Sequence, residues 1–167
     1  PVAAPDGTKP QAKEVPECEV DRNIPRSATE SRNRFAVIIG NEDYRNGVAG
    51  VEFAAKDARV FADYCHRTLG LPESNIRRYE NATYGDMLGA LKDITAITEA
   101  YGGDVDIMFY YAGHGIPDER DRSAYLMPVD ADGSMTEVCF PLAKLYERLG
   151  GLGARSVVVF LDACFSG

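Results

Sequence analysis

Metal chemistry has little to work with in this sequence. The chain has two histidines, His66 and His114, and four cysteines, Cys18, Cys65, Cys139 and Cys164, none of them in a Cys-X-X-Cys pair. Zinc-ligand spacing is absent, so no metal ligand is assigned. No basic stripe offsets the formal net charge of −8, which argues against a nucleic-acid partner. No apolar run reaches membrane-spanning length, so no membrane partner is expected. Phosphate binding lacks its usual cradle, since Gly40-Asn41-Glu42-Asp43 does not form a glycine-rich phosphate loop after the first strand. There is no internal repeat. A signal peptide is also missing, but the chain starts at Pro1 without Met, which leaves a soluble protein either cytoplasmic or exported.

What the chain does have is alternation. Its 167 residues suffice for one domain with a substantial core. Pro1 to about Arg32 is rich in Pro, charge and small residues and reads as an extended or disordered leader. That leader is a plain linker, a pro-segment or a strap across the domain, and Arg22, Arg26, Arg32 and Arg34 are candidate processing sites in and beside it. Residues 33–167 form the folded domain. Phe35–Ile39 is a buried strand closed by Gly40, and Asn41–Gly50 is a turning loop. A helix is expected over Val51–Leu69, with Ala54, Ala58, Phe61 and Cys65 on one face and Gly70 as its stop. Ile76–Tyr79 is a short strand. Thr83 with Asp86 marks the start of a helix running from Tyr84 to about Ala100.

A third strand, Val105–Tyr111, follows. A polar surface loop is expected from Gly115 to Arg122, then extended chain from Ser123 to Met127. Pro128–Gly133 is a turn, Val138–Phe140 a hairpin return, and Pro141 opens a helix carrying Leu142, Leu145, Tyr146 and Leu149. The last strand begins at Ser156. Strands alternating with helices over short crossovers pair in parallel. The expected architecture is a three-layer α/β/α sandwich with a mostly parallel sheet. Cys65 and Cys139 read as small buried residues. Cys18 lies in a polar stretch and is left open as free or paired.

Two strand ends carry chemistry. Val105–Tyr111 runs into Ala112-Gly113-His114-Gly115, and Ser156–Leu161 runs into Asp162-Ala163-Cys164-Phe165-Ser166-Gly167. The last strand reads as buried on both faces. Ligands of open α/β sheets bind at the carboxyl ends of strands. If the two strands are parallel neighbours, thiol and imidazole share one rim. A thiol at neutral pH is mostly protonated, and a nearby imidazole can take its proton and later deliver it to a leaving amine. Cys164 is therefore the candidate nucleophile and His114 the candidate general base and acid. Gly115 lets backbone approach a substrate without a Cβ. Asp162, two residues before Cys164, faces the same side of a strand. A carboxylate there would pair with Arg or Lys and repel acidic side chains.

The pair Tyr-Ala-Gly-His-Gly and Asp-Ala-Cys-Phe-Ser-Gly resembles the caspase-like cysteine peptidases, most closely the metacaspase and bacterial caspase-like branch. The resemblance covers about Arg34 to Gly167. It implies a caspase-haemoglobinase-like fold and a cysteine endopeptidase working through a His-Cys dyad and an acyl-enzyme, with no cofactor required for the chemistry. It also implies an oxyanion hole made by the N–H groups of Gly115 and Cys164. Animal caspases, with Gln where this chain has Asp162, cut after Asp. Metacaspases cut after Arg or Lys, so the substrate expected here is a peptide or protein with Arg or Lys before the cut bond. Asp57, in Ala-Lys-Asp-Ala, resembles the metacaspase Asn-Asp-Ala segment and is a second specificity-pocket candidate. The match is looser there because Lys56 replaces the Asn, and Asp57 reads equally well as a solvated helix charge.

The resembled enzymes continue into a smaller second half, which implies a complementary small-subunit segment as a partner for the last strand. Many metacaspases need calcium. Asp118, Glu119, Asp121, Asp130 and Asp132 offer hard oxygen ligands but not EF-hand spacing, so a solvated acidic loop is the reading here, with calcium an activator that the resemblance allows. A catalytically silent scaffold, or a separase- or gingipain-like peptidase with the same pair, is the alternative.

Overall fold

The computed structural model describes residues 18–118, 123–132 and 135–165. The elements in chain order are α1 (Glu19–Arg22), β1 (Arg34–Gly40), α2 (Ala54–Arg67), β2 (Ile76–Glu80), α3 (Tyr84–Ala100), β3 (Asp106–Ala112), β4 (Gly115–Asp118), β5 (Ser123–Leu126), β6 (Phe140–Pro141), α4 (Leu142–Gly150) and β7 (Ser156–Asp162). The main sheet has the order β2-β1-β3-β7, and every pair in it is parallel. Strands with both faces covered need apolar side chains on both, and β1 and β3 supply them with near-continuous runs of buried residues.

One face of the sheet packs on α2, through Ala36, Ile38, Met108 and Tyr110 against Ala58, Ala62 and Cys65. The other face packs on α3 and α4, through Val37, Ile39, Ile107 and Phe109 against Met87, Leu91, Ile94, Leu145 and Leu149. Helices on both faces of a parallel sheet make the three-layer α/β/α sandwich. The close approach of α2 to the end of β1 depends on Gly40. A Cβ there would lie 2.6 Å from the Ala54 carbonyl oxygen and 2.7 Å from the Ala58 Cβ. No helix among the described residues is long and apolar enough to cross a membrane.

Three local expectations change and a fourth holds. The helix expected from Val51 starts three residues later, at Ala54, behind a Phe53 with φ 74°. Instead of a loop after Gly115, β4 pairs antiparallel with β5, Ile116 opposite Tyr125, and β6 completes a second small sheet. The expected hairpin return is present as β6, antiparallel to β5 with Phe140 opposite Leu126, and a 3-10 turn over Thr136–Val138 leads into it. β7 is not buried on both faces: Val157, Val159 and Leu161 pack inward while Val158 and Phe160 stay 46% and 39% exposed. Among the described residues β7 is the outer strand, and the α2 layer covers its Val158 and Phe160 face only in part, through Phe61 against Phe160.

The described part of the leader lies along α2. The hydroxyls of Tyr64 and Thr68 donate to the carbonyls of Val20 and Pro25 at 2.8 and 2.7 Å. The N–H groups of Ser27 and Ser31 donate to the carbonyls of Arg67 and Gly70, both at 2.8 Å. Residues 1–17 lie outside the described residues.

Candidate active site

β3 ends at Ala112, and the next three residues are held by groups from four places in the chain. Gly113 has φ 154°, and a Cβ on it would sit 2.7 Å from the Tyr44 hydroxyl and 2.8 Å from the Tyr111 hydroxyl. A side chain is excluded there twice, by conformation and by space. The His114 N–H donates to the Tyr44 hydroxyl at 2.8 Å. The Tyr111 hydroxyl lies 2.9 Å from the carbonyl oxygens of both His114 and Met127, and the Met127 N–H donates back to the His114 carbonyl at 3.0 Å. Burial raises the Tyr44 phenol above its ordinary range and raises Tyr111 well above it, so both stay neutral hydrogen-bonding groups. Buried Asn41 ties the same corner to Ala82 and Met127.

The imidazole is oriented as well. His114 Nε2 is 2.8 Å from the carbonyl oxygen of Ala49, and the Tyr44 ring packs at a centroid distance of 4.7 Å. A carbonyl can only accept, so Nε2 carries the hydrogen. In a neutral ring that leaves the lone pair on Nδ1, the form a general base needs.

Cys164 comes to the same rim through strand register. Ala112 pairs with Asp162 on neighbouring parallel strands. His114 and Cys164 each lie two residues beyond that pair, and the Gly113 N–H extends the ladder to the Asp162 carbonyl at 3.1 Å. Cys164 and Phe165 run directly against Gly115. A Cβ on Gly115 would lie 2.5 Å from the Phe165 ring and 3.0 Å from the Cys164 carbonyl oxygen. Of the four thiols, Cys65 and Cys139 are buried, which pushes them up to about 12 and about 11. Cys18 and Cys164 are exposed. Ser166 and Gly167, expected to turn the chain sharply after Cys164, lie outside the described residues.

The two carboxylates proposed for specificity come together. Ala163 and Phe165 pack with the α3 and α4 side of the sheet. The alternation therefore turns Asp162 and Cys164 toward the α2 side. Asp57 lies in the first turn of α2. Burial raises its carboxyl above the ordinary range, and the Asp162 carboxylate raises it further. Both carboxylates also contribute, after burial, to pushing the Tyr110 phenol up to about 12. Phe61 stacks on Tyr110 at 4.4 Å and meets Phe160 at 5.1 Å. An acidic pair thus borders an aromatic shelf beside the thiol's strand.

The acidic residues considered for calcium do not converge among the described residues, where no group of three or more His, Cys, Asp or Glu side chains could hold a metal ion. Asp118 is buried, and the Asp130 carboxylate accepts the Tyr84 N–H at 3.0 Å. Glu119 and Asp121 lie outside the described residues.

Sequence patterns did not point to Asn41, Tyr44, Tyr111 or the Ala49 carbonyl. Tyr111 reads as one more apolar strand residue. Asn41, Tyr44 and Ala49 fall in a loop whose Asn, Asp and Gly content signals only a turn. The usable signal was the His-flanking glycines, because a glycine held at a fixed backbone shape implies neighbours that fill its space.

The caspase domain family matches residues 33–167. Among solved structures, the chain resembles a Geobacter sulfurreducens protein at 24% identity and TM-score 0.58, over 81% of this chain and 52% of that one. It resembles caspase-1 from Spodoptera frugiperda at 17% identity and TM-score 0.55, over 90% and 56% of the two chains. The Drosophila initiator caspase Dronc shares 14% identity and a TM-score of 0.59, over 97% and 66%. The chain thus spans about half to two thirds of the length of these structures. No curated protein sequence matches.

Proposed function

Because the chain belongs to the caspase domain family, we propose that it is the larger part of a cysteine endopeptidase that cleaves after Arg or Lys, with Cys164 as nucleophile and His114 as general base and acid. The observation that carries this reading is the pair of equal overhangs beyond Ala112 and Asp162, together with an imidazole whose Nε2–H is taken by Ala49. Nδ1 accepts the thiol proton and the thiolate attacks the scissile carbonyl. The resulting oxyanion is met by the N–H groups of Gly115 and Cys164. The imidazolium then protonates the leaving amine as the C–N bond breaks, leaving a thioester on Cys164. Water, deprotonated by the same imidazole, hydrolyses the thioester and regenerates the thiol.

Asp162 and Asp57 supply the negative charge that recognises a guanidinium or ammonium, and the stack of Phe61 on Tyr110 offers a surface for the aliphatic stem. A complementary segment, the counterpart of the smaller half of caspase-like enzymes, adds to the open edge of β7 and covers Val158 and Phe160. The test is hydrolysis of a fluorogenic peptide library by the complete protein, with and without calcium. Turnover confined to peptides with Arg or Lys before the cut bond is expected. A preference for Asp there would overturn the specificity assignment.

A further inference from the structure

The loop between β1 and α2 holds His114 at three points. The His114 N–H donates to the Tyr44 hydroxyl at 2.8 Å, and its Nε2–H donates to the Ala49 carbonyl at 2.8 Å. The Tyr44 ring also packs on the imidazole, at a centroid distance of 4.7 Å and an interplanar angle of 48°. Tyr44 therefore touches His114 twice, once at the backbone and once at the ring. The Tyr111 hydroxyl and the Asn41 side chain also face the Tyr44 hydroxyl. Both have other partners: Tyr111 the carbonyls of His114 and Met127, Asn41 the Ala82 N–H and the Met127 carbonyl. Among the described residues, the His114 N–H has the Tyr44 hydroxyl alone.

A residue that positions another must itself be fixed. The Asn81 side chain, on a backbone with φ 57°, accepts the N–H groups of Glu42 and Asp43, both at 2.9 Å. On the other side, the Arg45 N–H donates to the Val129 carbonyl at 2.8 Å, and the Asn46 side chain donates to the Asp130 carbonyl at 3.2 Å. Tyr44 thus stands between anchored neighbours. The Val51 N–H, donating to the Glu42 carbonyl at 3.0 Å, closes the loop that carries Ala49.

We propose that Tyr44 is a positioning residue for the peptidase chemistry: its hydroxyl fixes the His114 backbone and its ring fixes the imidazole, so that Nε2–H stays on the Ala49 carbonyl and Nδ1 is kept for the Cys164 proton. The inference rests on the reading of His114 as general base. A histidine side chain turns about two torsions, the second of them soft. The backbone bond sets where the first torsion starts, and the ring contact limits the second. Without the hydroxyl, the His114 N–H loses its partner and the backbone is free to shift. An imidazole that shifts off Ala49 can carry its hydrogen on either nitrogen. The wrong tautomer presents an N–H to the thiol where the chemistry needs a lone pair.

The test is Tyr44→Phe in the complete protein, which keeps the ring and removes the hydroxyl. KM and kcat are read separately on the peptide that wild type cleaves best. The His114 ring nitrogens, identified by their loss in His114→Ala, are read by nitrogen NMR of the labelled protein. In wild type the ring should be the Nε2–H tautomer. In Tyr44→Phe, kcat should fall about tenfold, a part of the roughly 10²–10⁴-fold that a general base contributes. KM should be unchanged, and the ring signals should move to a mixture of the two tautomers. An unchanged kcat, a fall in kcat with the tautomer unchanged, or a change confined to KM would each overturn the proposal and reduce Tyr44 to a filler of the space beside Gly113. If Tyr44→Phe does not fold, hydrogen exchange in wild type decides the matter: slow exchange of the His114 amide and of its Nε2–H is the expected result, and fast exchange of either overturns the proposal. Those outcomes leave the peptidase reading standing. Full turnover by His114→Ala would overturn both.

Discussion

Gly115 has no room for a methyl group, and what fills that room is the segment bearing Cys164. A Cβ would meet the Phe165 ring at 2.5 Å and the Cys164 carbonyl at 3.0 Å. The ring edge can swing away, but the carbonyl belongs to the backbone of the proposed nucleophile. Gly115→Ala should therefore displace Cys164 relative to His114 while leaving the core intact. The expected result is a fall in kcat on the order of 100-fold, the scale of losing one aimed oxyanion donor, with a melting temperature near wild type. A loss of folding, or an unchanged kcat, would show that Gly115 has no such role. The tyrosine pair belongs to the same scale. Tyr44 and Tyr111 fill the space beside Gly113 and bond the backbone on both sides of the imidazole. The glycines flanking His114 were legible in the sequence. The phenols that make Gly113 necessary were not, because a buried tyrosine in an apolar strand gives no sign of what its hydroxyl touches.

The elements that set the site are β3, β7 and α2. β3 and β7 must keep register for the overhangs to match, and the ends of those strands farthest from the site are clamped. Arg155 makes a two-pronged bond to Asp106, at 3.0 and 2.7 Å, and a third bond to Asp104 at 2.6 Å. The Ser156 hydroxyl adds a bond to Asp106 at 2.7 Å. These contacts, Arg155 first and Ser156 second, hold the Asp106 carboxyl down at about 2. A depressed carboxyl stabilises the fold above its unfolded value and loses that contribution as pH falls through its folded value. Asp106→Asn should therefore reduce stability at pH 7 by about 1–2 kcal/mol, discounted because Arg155 is half exposed. The gap to wild type should close between about pH 4 and pH 2. Denaturant titration at several pH values would check it, and a gap constant with pH would contradict it.

The start of α2 shows why one boundary was misread. Among the described residues no side chain caps it from the usual position. Phe53 precedes it at φ 74°, and Glu42 from the loop after β1 accepts the Ala55 N–H at 3.0 Å. A cap supplied from thirteen residues away leaves no local signal, whereas Thr83 with Asp86, a local capping box, marked the start of α3 correctly. β7 was misread for a related reason. Its apolar run looks like a strand covered on both sides, but Val158 and Phe160 remain open. Leaving such side chains in water forfeits up to about 1.5–3 kcal/mol each, which is why a covering segment is proposed.

For the molecule as a whole, the parallel sheet with helices on both faces was legible from alternation alone, because apolar runs of strand length and amphipathic runs of helix length do not resemble each other. In the small second sheet β5 and its return at β6 were legible, but β4 was not, since polar residues and Pro117 interrupt the period that would mark it. His114 and Cys164 were legible as a pair once both were seen to end strands, and the register of β3 on β7 brings those ends side by side. The tie between the leader and α2 was beyond reach, because no pattern in residues 18–33 names the face they lie on.

The central claim is that Cys164 and His114 act as one catalytic unit. Its most direct test is turnover of Arg- and Lys-ended fluorogenic peptides by the complete protein beside Cys164→Ala and His114→Ala, with folding checked by circular dichroism. The account predicts hydrolysis by wild type that both substitutions abolish to a similar extent, because groups acting as a unit are not additive. Hydrolysis that survives Cys164→Ala in a folded protein would contradict it.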